Sequence, residues 1–261
     1  MQNAVRNCAH WALKGIAVAS LLLLVSCGWI SRDPTDKMSA DQLYADAKSE
    51  MASGNWQRAR EILTRLESRY PFGRYAQQAQ IEIAYAYYKE GESAQAIAAC
   101  DRFLKLNPGH PFADYVLYLK GLASFNDDLG LFGRTLGMDP TTRDPKAMRE
   151  AFDVFKELVS RFPDSRYAPD ATARMNYLVS AMAQSEVNIA RFYLQRGAYV
   201  AAVQRAQGAL RDYAGTPAAE EALSVLVRAY DGLALPQLRD DARRVLELNY
   251  PGSRYLAAAS K

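Results

Sequence analysis

Histidine and cysteine are scarce in this sequence, which has two histidines and three cysteines among its 261 residues. Nucleophilic catalysis by serine or cysteine needs a neighbouring base, and structural zinc sites need clustered thiolate and imidazole ligands. The sequence also lacks the G-x-S-x-G, P-loop and H-E-x-x-H motifs of hydrolases, nucleotide-binding proteins and zinc proteases. We therefore expect no catalytic residues, no metal site and no cofactor, and we predict that the chain is not an enzyme.

An excess of either charge is also lacking. Lysine plus arginine number 32 and aspartate plus glutamate 29, which leaves a formal net charge of +3. So small an excess does not indicate a nucleic-acid-binding surface. With 49% hydrophobic residues, 15 glycines and 11 prolines, the composition is that of a globular protein rather than a disordered or collagen-like chain.

Residues 1–26 have the pattern of an export signal, in which Arg6 and Lys14 precede an apolar run that ends in small residues. The run at 15–25 is about half as long as a membrane-spanning helix requires. It ends in Leu24-Val25-Ser26-Cys27, which resembles a bacterial lipobox. This resemblance implies cleavage before Cys27, attachment of diacylglycerol to its sulfur and acylation of its new amino group. The alternative is an uncleaved anchor followed by an ordinary cysteine.

The residues around Cys27 also predict where the anchor resides. Each buried CH₂ of an acyl chain contributes about 0.8 kcal/mol, so several chains hold a protein to a membrane stably. Gly28 stands where an aspartate would typically retain a lipoprotein in the inner membrane, so we expect anchoring to outer-membrane lipid on the periplasmic face, with 27–38 as a lipidated tether. Cys100 is then the only free thiol, and its place on an apolar helix face predicts a buried side chain.

Short prolyl motifs recur along the rest of the chain: YPFGRYA at 70–76, NPGHPFA at 107–113, FPDSRYA at 162–168 and YPGSRYL at 250–256. Each follows a helical pattern that proline ends, because proline lacks the N–H needed to continue a helix. Before three of these prolines, small and apolar residues recur at intervals of four and three, which place them on one helix face. These residues are Ala59, Leu63 and Leu66; Ala96, Cys100 and Phe103; and Ala151, Phe155 and Leu158.

This pattern resembles the tetratricopeptide repeat, a helix–turn–helix unit of about 34 residues. We predict an all-α solenoid of about five such units, whose continuous core forms by stacking. The turn-forming residues at 126–146 predict an inserted loop in the third unit, and unbroken periodicity between Pro163 and Ala190 predicts a long first helix in the fourth. Ala84 and Gly121 are small residues against which we expect a preceding helix to pack closely.

In tetratricopeptide proteins the first helix of each unit lines a concave groove, and the register places several aromatic residues on those helices. Tyrosine is amphipathic and loses few rotamers on binding, so this groove suits an extended peptide that carries aromatic groups. The nearby cations Lys48, Lys89 and Arg102 also suit a terminal carboxylate on that peptide. The alternative for each aromatic residue is a purely structural place in the core. The candidate substrate-binding residues are Tyr44, Tyr85, Tyr88, Arg102, Tyr115, Tyr118 and Phe125.

Segments across nearly all of the chain after residue 27 resemble the BamD (ComL) family of lipoproteins of the outer-membrane β-barrel assembly machinery. They include RYPFGRYAQQAQ at 69–80, IAYAYYK at 83–89, RDPKAMREAF at 143–152 and RGAYVAAVQRAQGALRDY at 196–213. The resemblance implies binding to the POTRA domain of the BamA barrel, to other assembly lipoproteins and to the aromatic C-terminal β-signal of unfolded outer-membrane proteins. It also implies substrate-binding repeats at 39–135 and machinery-docking repeats at 136–261.

The same resemblance implies that Arg205 pairs with an acidic residue of the POTRA domain, whereas the alternative is a solvated helix charge. An exposed ion pair contributes little stability, but breaking a desolvated interfacial pair is costly. A second hypothesis for the whole chain is a periplasmic tetratricopeptide lipoprotein that scaffolds peptidoglycan synthesis or division enzymes. A third is a cell-wall hydrolase with a helical superstructure, which would need a separate catalytic domain.

Overall fold

A computed structural model describes residues 37–126 and 145–258, which form α-helices joined by short turns, with no strand in these two ranges. The helices are α1 Ala40–Ala52, α2 Trp56–Arg69, α3 Arg74–Glu90, α4 Ser93–Leu106, α5 Ala113–Asn126, α6 Pro145–Arg161, α7 Ala168–Gln195, α8 Tyr199–Asp212, α9 Ala218–Gly232, α10 Pro236–Asn249 and α11 Arg254–Ala258. The expected signal peptide, Cys27, most of the tether, most of the 126–146 insertion and the division at 135/136 lie outside the described residues.

Successive helices pair as α1–α2, α3–α4, α5–α6, α7–α8 and α9–α10, and α11 follows the fifth pair. The prediction of an all-α tetratricopeptide-like solenoid of about five units is therefore confirmed. The long first helix expected in the fourth unit is α7, which has 28 residues.

The turns follow the local sequence rules. Four helices, α2, α4, α6 and α10, each end two residues before the proline of a repeated motif. Within a unit, Gly54 and Gly197 have φ values of 78° and 72° in the tight turns that lead to α2 and α8. This left-handed conformation favours glycine, because a side chain there would be strained.

Four hydrophobic clusters form one continuous core. The first joins α1, α2 and α3, the second joins α3, α4 and α5, the third joins α5, α6 and α7, and the fourth joins α7 to α10. The first helix of each inner unit thus contributes to two clusters, as stacking of repeats requires. Residues expected on the buried faces, such as Leu63, Phe103 and Phe155, are each 0% exposed.

Gly121 packs closely, but against a different helix from the one expected. An added Cβ there would lie 2.5–2.9 Å from three ring carbons of Phe155, which belongs to α6, the second helix of the same unit. Ala84 of α3 likewise shares a cluster with Cys100 and Phe103 of α4. For Gly121 the expectation of a preceding helix was wrong, because this residue faces the partner helix of its own pair. The cluster around Ala84 also contains Val116 and Leu119 of α5, so it does not assign Ala84 to one neighbouring helix.

Candidate functional site

An open groove of about 640 Å³ runs across the first three repeats. Its walls come from α1, α3, α5 and the prolyl turns that precede α5 and α7, and its volume is typical of ligand-binding sites. The residues that matter most in its lining are Lys48, Glu82, Tyr85, Tyr115, Arg166 and Tyr167.

A buried carboxylate lies in this groove, because Glu82 of α3 is only 9% exposed. Its Oε1 atom accepts hydrogen bonds from Lys48 Nζ at 3.0 Å, from Gln78 Nε2 at 3.2 Å and from the Tyr44 hydroxyl at 3.3 Å. Three donors offset the cost of burying the charge and tie α1 to α3. Burial and the Glu82 carboxylate together raise the pKa of Tyr44 to about 12, so this hydroxyl is a donor at neutral pH.

The charges of the groove balance. Lys48 and Arg166 line it together with Glu82 and Asp114. Lys48 is already paired with Glu82, and Asp114 accepts from the Ser165 hydroxyl at 2.6 Å and from the Tyr115 amide at 2.7 Å. The groove therefore differs from the basic surface that a terminal carboxylate would favour.

The predicted aromatic residues of α1 and α3 lie in the groove lining or next to it. Tyr85 lines it, the Tyr88 ring centre lies 6.5 Å from that of Tyr85, and Tyr44 reaches it through Glu82. Each side chain is half-buried, and Tyr85 and Tyr88 also pack on the second cluster. Their rings thus pack partly on the core and are partly accessible, and their part in binding a peptide stays a prediction.

The predicted aromatic residues of α5 continue this wall. Burial raises the pKa of Tyr115, whose ring lines the groove. The Tyr118 hydroxyl donates to Asp170 Oδ2 at 2.7 Å, and Arg174 Nε donates to the same oxygen at 2.6 Å. The Arg174 guanidinium lies 5.3 Å from the centre of the Phe125 ring. Side chains of α7 therefore hold Tyr118 and Phe125 in place.

Tyr167 is a groove residue that the sequence reasoning missed. Its ring stacks on Tyr118, with centres 4.8 Å apart and an interplanar angle of 18°, and its centre lies 5.6 Å from that of Tyr115. It therefore joins the two α5 tyrosines into one aromatic surface. The sequence could have indicated Tyr167, because it is the tyrosine of the repeated FPDSRYA motif.

The arginine–tyrosine pair of that motif has the same arrangement at three turns. The guanidinium lies over the ring of the following tyrosine at 4.7 Å for Arg74–Tyr75, at 4.8 Å for Arg166–Tyr167 and at 4.8 Å for Arg254–Tyr255. Such cation–π contacts orient the arginine side chain. In the first and third pairs an arginine Nη2 also donates to the hydroxyl of the following tyrosine, at 2.9 Å and 2.7 Å. The first pair lies near Tyr44, the second lines the groove, and the third lines a separate cavity of about 260 Å³ near the end of the solenoid.

Of the predicted site residues, Tyr85 and Tyr115 line the groove, whereas Tyr44, Tyr88, Tyr118 and Phe125 lie outside its lining. The two predicted arginines also lie outside it. Arg102 of α4 pairs with Glu67 of α2, so its position does not support a part in lining the groove. Arg205 of α8 is 47% exposed and pairs with Glu186 of α7 at 3.0 Å. Arg205 is therefore accessible to a partner, which would have to compete with Glu186.

Cys100 and His110 have contacts that explain their positions structurally. Cys100 is fully buried, as predicted, and burial raises the pKa of its thiol to about 12. His110 Nδ1 accepts from the Phe112 amide at 3.1 Å within its turn. No group of three or more metal-ligating side chains occurs within 37–126 and 145–258.

Comparison with known proteins identifies the family. A model of the YfiO outer membrane lipoproteins matches residues 36–246, which is most of the chain. The chain belongs to the YfiO family of outer membrane lipoproteins. Among the described helices of this YfiO-family chain, none combines the length and apolar character needed to cross a bilayer.

Curated relatives agree with this assignment. The chain is 47% identical to outer membrane protein assembly factor BamD of Neisseria meningitidis serogroup A, over 94% of this chain and 93% of that protein. It is 38% identical to the protein of the same name from Vibrio cholerae, over 92% and 98% respectively. The predicted membership of the BamD family is thus confirmed. Among solved structures, the YfiO-family chain is similar to Pseudomonas aeruginosa pilF at 15% identity, with a TM-score of 0.41 and coverage of 87% and 84%.

Proposed function

We propose that this chain is a non-enzymatic subunit of the outer-membrane β-barrel assembly complex, held at the periplasmic face of the outer membrane by lipid on Cys27. Its first three repeats bind the aromatic C-terminal β-signal of unfolded outer-membrane proteins. Its C-terminal repeats dock to the POTRA domain of BamA and to other assembly lipoproteins. Together these contacts promote folding and insertion of the substrate.

The observation that carries the substrate part of this proposal is the aromatic groove across α3, α5 and the start of α7. Tyr85, Tyr115 and Tyr167 present accessible ring surface in a groove about as large as a short peptide segment requires. Rigid aromatic side chains bind apolar and aromatic partners with little loss of conformational entropy. A segment that alternates aromatic and polar residues is complementary to such a wall.

Two tyrosines of α3 provide a matched test of the groove. Tyr85 lines the groove, whereas Tyr87, also half-buried, lies beneath the Arg60 guanidinium at 4.2 Å. We expect Tyr85→Ala to weaken binding of a fluorescent C-terminal peptide of an outer-membrane protein by about tenfold or more, as is typical of an aromatic anchor. Tyr87→Ala should leave the affinity within about twofold, although it removes the same side chain. Equal affinities for the two variants would contradict the groove assignment.

Arg205 carries the docking part of the proposal, by resemblance to the family. Arg211 lies on the same helix, is exposed and pairs with its neighbour Asp212, so it serves as a control. We expect Arg205→Glu to reduce the BamA that co-purifies with a tagged chain, because it places like charges at the interface. Arg211→Glu should retain BamA. If Arg205→Glu also retained BamA in full, this docking role would be wrong.

The same purification distinguishes the second hypothesis from the first. A large β-barrel with POTRA domains in fixed ratio supports the assembly subunit. A peptidoglycan synthase or division protein in its place would support the scaffold and refute the proposed function.

A further inference from the structure

One oxygen of the buried Glu82 carboxylate is available to a ligand. All the hydrogen bonds that Glu82 receives within the described residues end on Oε1. No buried side-chain oxygen or nitrogen in the described part of the chain lacks a hydrogen-bond partner, so the unbonded Oε2 is accessible to solvent. The groove is the open space that Glu82 lines. A carboxylate oxygen accepts hydrogen bonds only, so it calls for a donor on whatever fills the groove.

The charge of the groove favours a neutral donor over a cation. Lys48 already neutralises Glu82, and the four charged residues of the lining sum to zero. A lysine or arginine side chain at Oε2 would therefore bring an additional positive charge close to Lys48 without a matching negative one. A neutral N–H group gains a charge-assisted hydrogen bond without that repulsion.

An extended peptide supplies such donors along its whole length. Each residue other than proline carries one main-chain N–H, and burying it without a partner is costly. The groove is built from helices and turns, so it presents no strand edge that could pair with the peptide. The buried Glu82 carboxylate is then an available partner for a peptide N–H, and as an anion it is a stronger acceptor than the tyrosine hydroxyls around it.

We infer that Glu82 binds a main-chain N–H of the peptide held in the groove, so that the groove recognises the extended backbone at this point and not a particular side chain. This inference rests on the proposed function. The inferred ligand class is an extended peptide with aromatic residues. At Glu82 the groove would accept many peptide sequences, because every residue except proline has a main-chain N–H.

Ester substitution tests this inference directly. In a short synthetic peptide that alternates aromatic and polar residues and ends in phenylalanine, single amides are replaced one at a time by esters, which removes one N–H and keeps every side chain. We expect one position at which the ester weakens binding to the wild-type chain by about tenfold or more, as loss of a charge-assisted hydrogen bond does. In Glu82→Gln the acceptor is neutral, so the same ester should cost only about a few-fold.

A second groove carboxylate supplies the control. Asp114 lines the same groove, but both of its oxygens already accept hydrogen bonds. Asp114→Asn should therefore retain the full ester effect of the wild type. Since the ester also weakens the adjoining carbonyl as an acceptor, the comparison among the three proteins isolates the part that depends on Glu82.

The possible outcomes distinguish failure of the Glu82 contact from failure of the proposed function. If the all-amide peptide binds and no ester loses more affinity for the wild type than for Glu82→Gln, the backbone contact is refuted and the proposed function stands. A second peptide carries one lysine at a polar position. If replacing this lysine by norleucine abolishes the difference in affinity between the wild type and Glu82→Gln, Glu82 binds a cation and the inference is wrong. If the all-amide peptide does not bind the wild type, the proposed substrate role and this inference fail together.

Discussion

Replacement of Gly121 by alanine tests how tightly the third pair of helices is packed. The new methyl carbon would lie 2.5, 2.7 and 2.9 Å from three ring carbons of Phe155, where ordinary contacts are 3.4–4 Å. Phe155 is 0% exposed, so other core side chains surround its ring and it cannot move aside into solvent. Overpacking of this kind costs about 1–3 kcal/mol, whereas alanine gains about 1 kcal/mol over glycine in a helix interior. We expect a net loss of up to about 2 kcal/mol.

Gly208 provides the matched control for this substitution. It also lies inside a helix, α8, but an added Cβ there would meet only the Arg211 guanidinium at 3.9 Å. Gly208→Ala should therefore stabilise the chain by up to about 1 kcal/mol. Thermal unfolding followed by circular dichroism should separate the two variants, since each kcal/mol shifts the midpoint by about 2–4 °C for a chain of this size. Phe155→Leu should reduce the cost of Gly121→Ala, because the two side chains compete for one space.

The result that would refute this reasoning is a Gly121→Ala variant as stable as Gly208→Ala. That outcome would mean that α5 and α6 can separate by about 1 Å at no cost, against the close packing expected of a protein core.

Three other outcomes follow from single residues. Because burial and Glu82 raise the pKa of Tyr44 from 10.0 to about 12, the folded state keeps this proton while the unfolded state loses it. The free energy of unfolding should therefore fall as pH rises over that interval, and fall less in Tyr44→Phe, as measured by denaturant titration at stepped pH; identical slopes would contradict the raised pKa. Cys100, with its buried thiol of pKa about 12, should react with a thiol reagent only after unfolding, so labelling of the native chain at the rate of a free cysteine would show the site to be open. Cys27→Ala should abolish incorporation of a palmitate analogue, and continued labelling would disprove the lipobox interpretation.

The repeats could be predicted because their rules are local. Proline ends a helix wherever it falls, and intervals of four and three fix one buried face, so Leu63, Phe103 and Phe155 could be assigned to the core from the sequence. The long α7 could be predicted for the same reason, since its periodicity is unbroken. These features need no knowledge of how one unit lies on the next.

The groove could be predicted only in part, because it depends on stacking between units. Spacing placed Tyr85 and Tyr115 on first helices, but it could not reveal that the turn before α7 brings Tyr167 between Tyr115 and Tyr118. The surroundings of Glu82 were missed for a similar reason. Two of its three donors, Tyr44 and Lys48, lie on α1, which belongs to the preceding repeat unit. The position of Arg102 also depends on stacking, because the spacing could not reveal that this second-helix side chain pairs with Glu67 of the preceding unit.

Helix α7 connects the third and fourth repeat units rigidly. It is one uninterrupted rod of 28 residues that enters both the third and the fourth clusters. Near one end, Asp170 and Arg174 hold Tyr118 and Phe125; farther along, Glu186 holds Arg205. At a rise of 1.5 Å per residue, Asp170 and Glu186 are about 24 Å apart on the same rigid axis. Because the helix is unbroken between these two contacts, a tilt of α7 at Glu186 would also move Asp170 and Arg174, and with them the contacts to the Tyr118 and Phe125 rings.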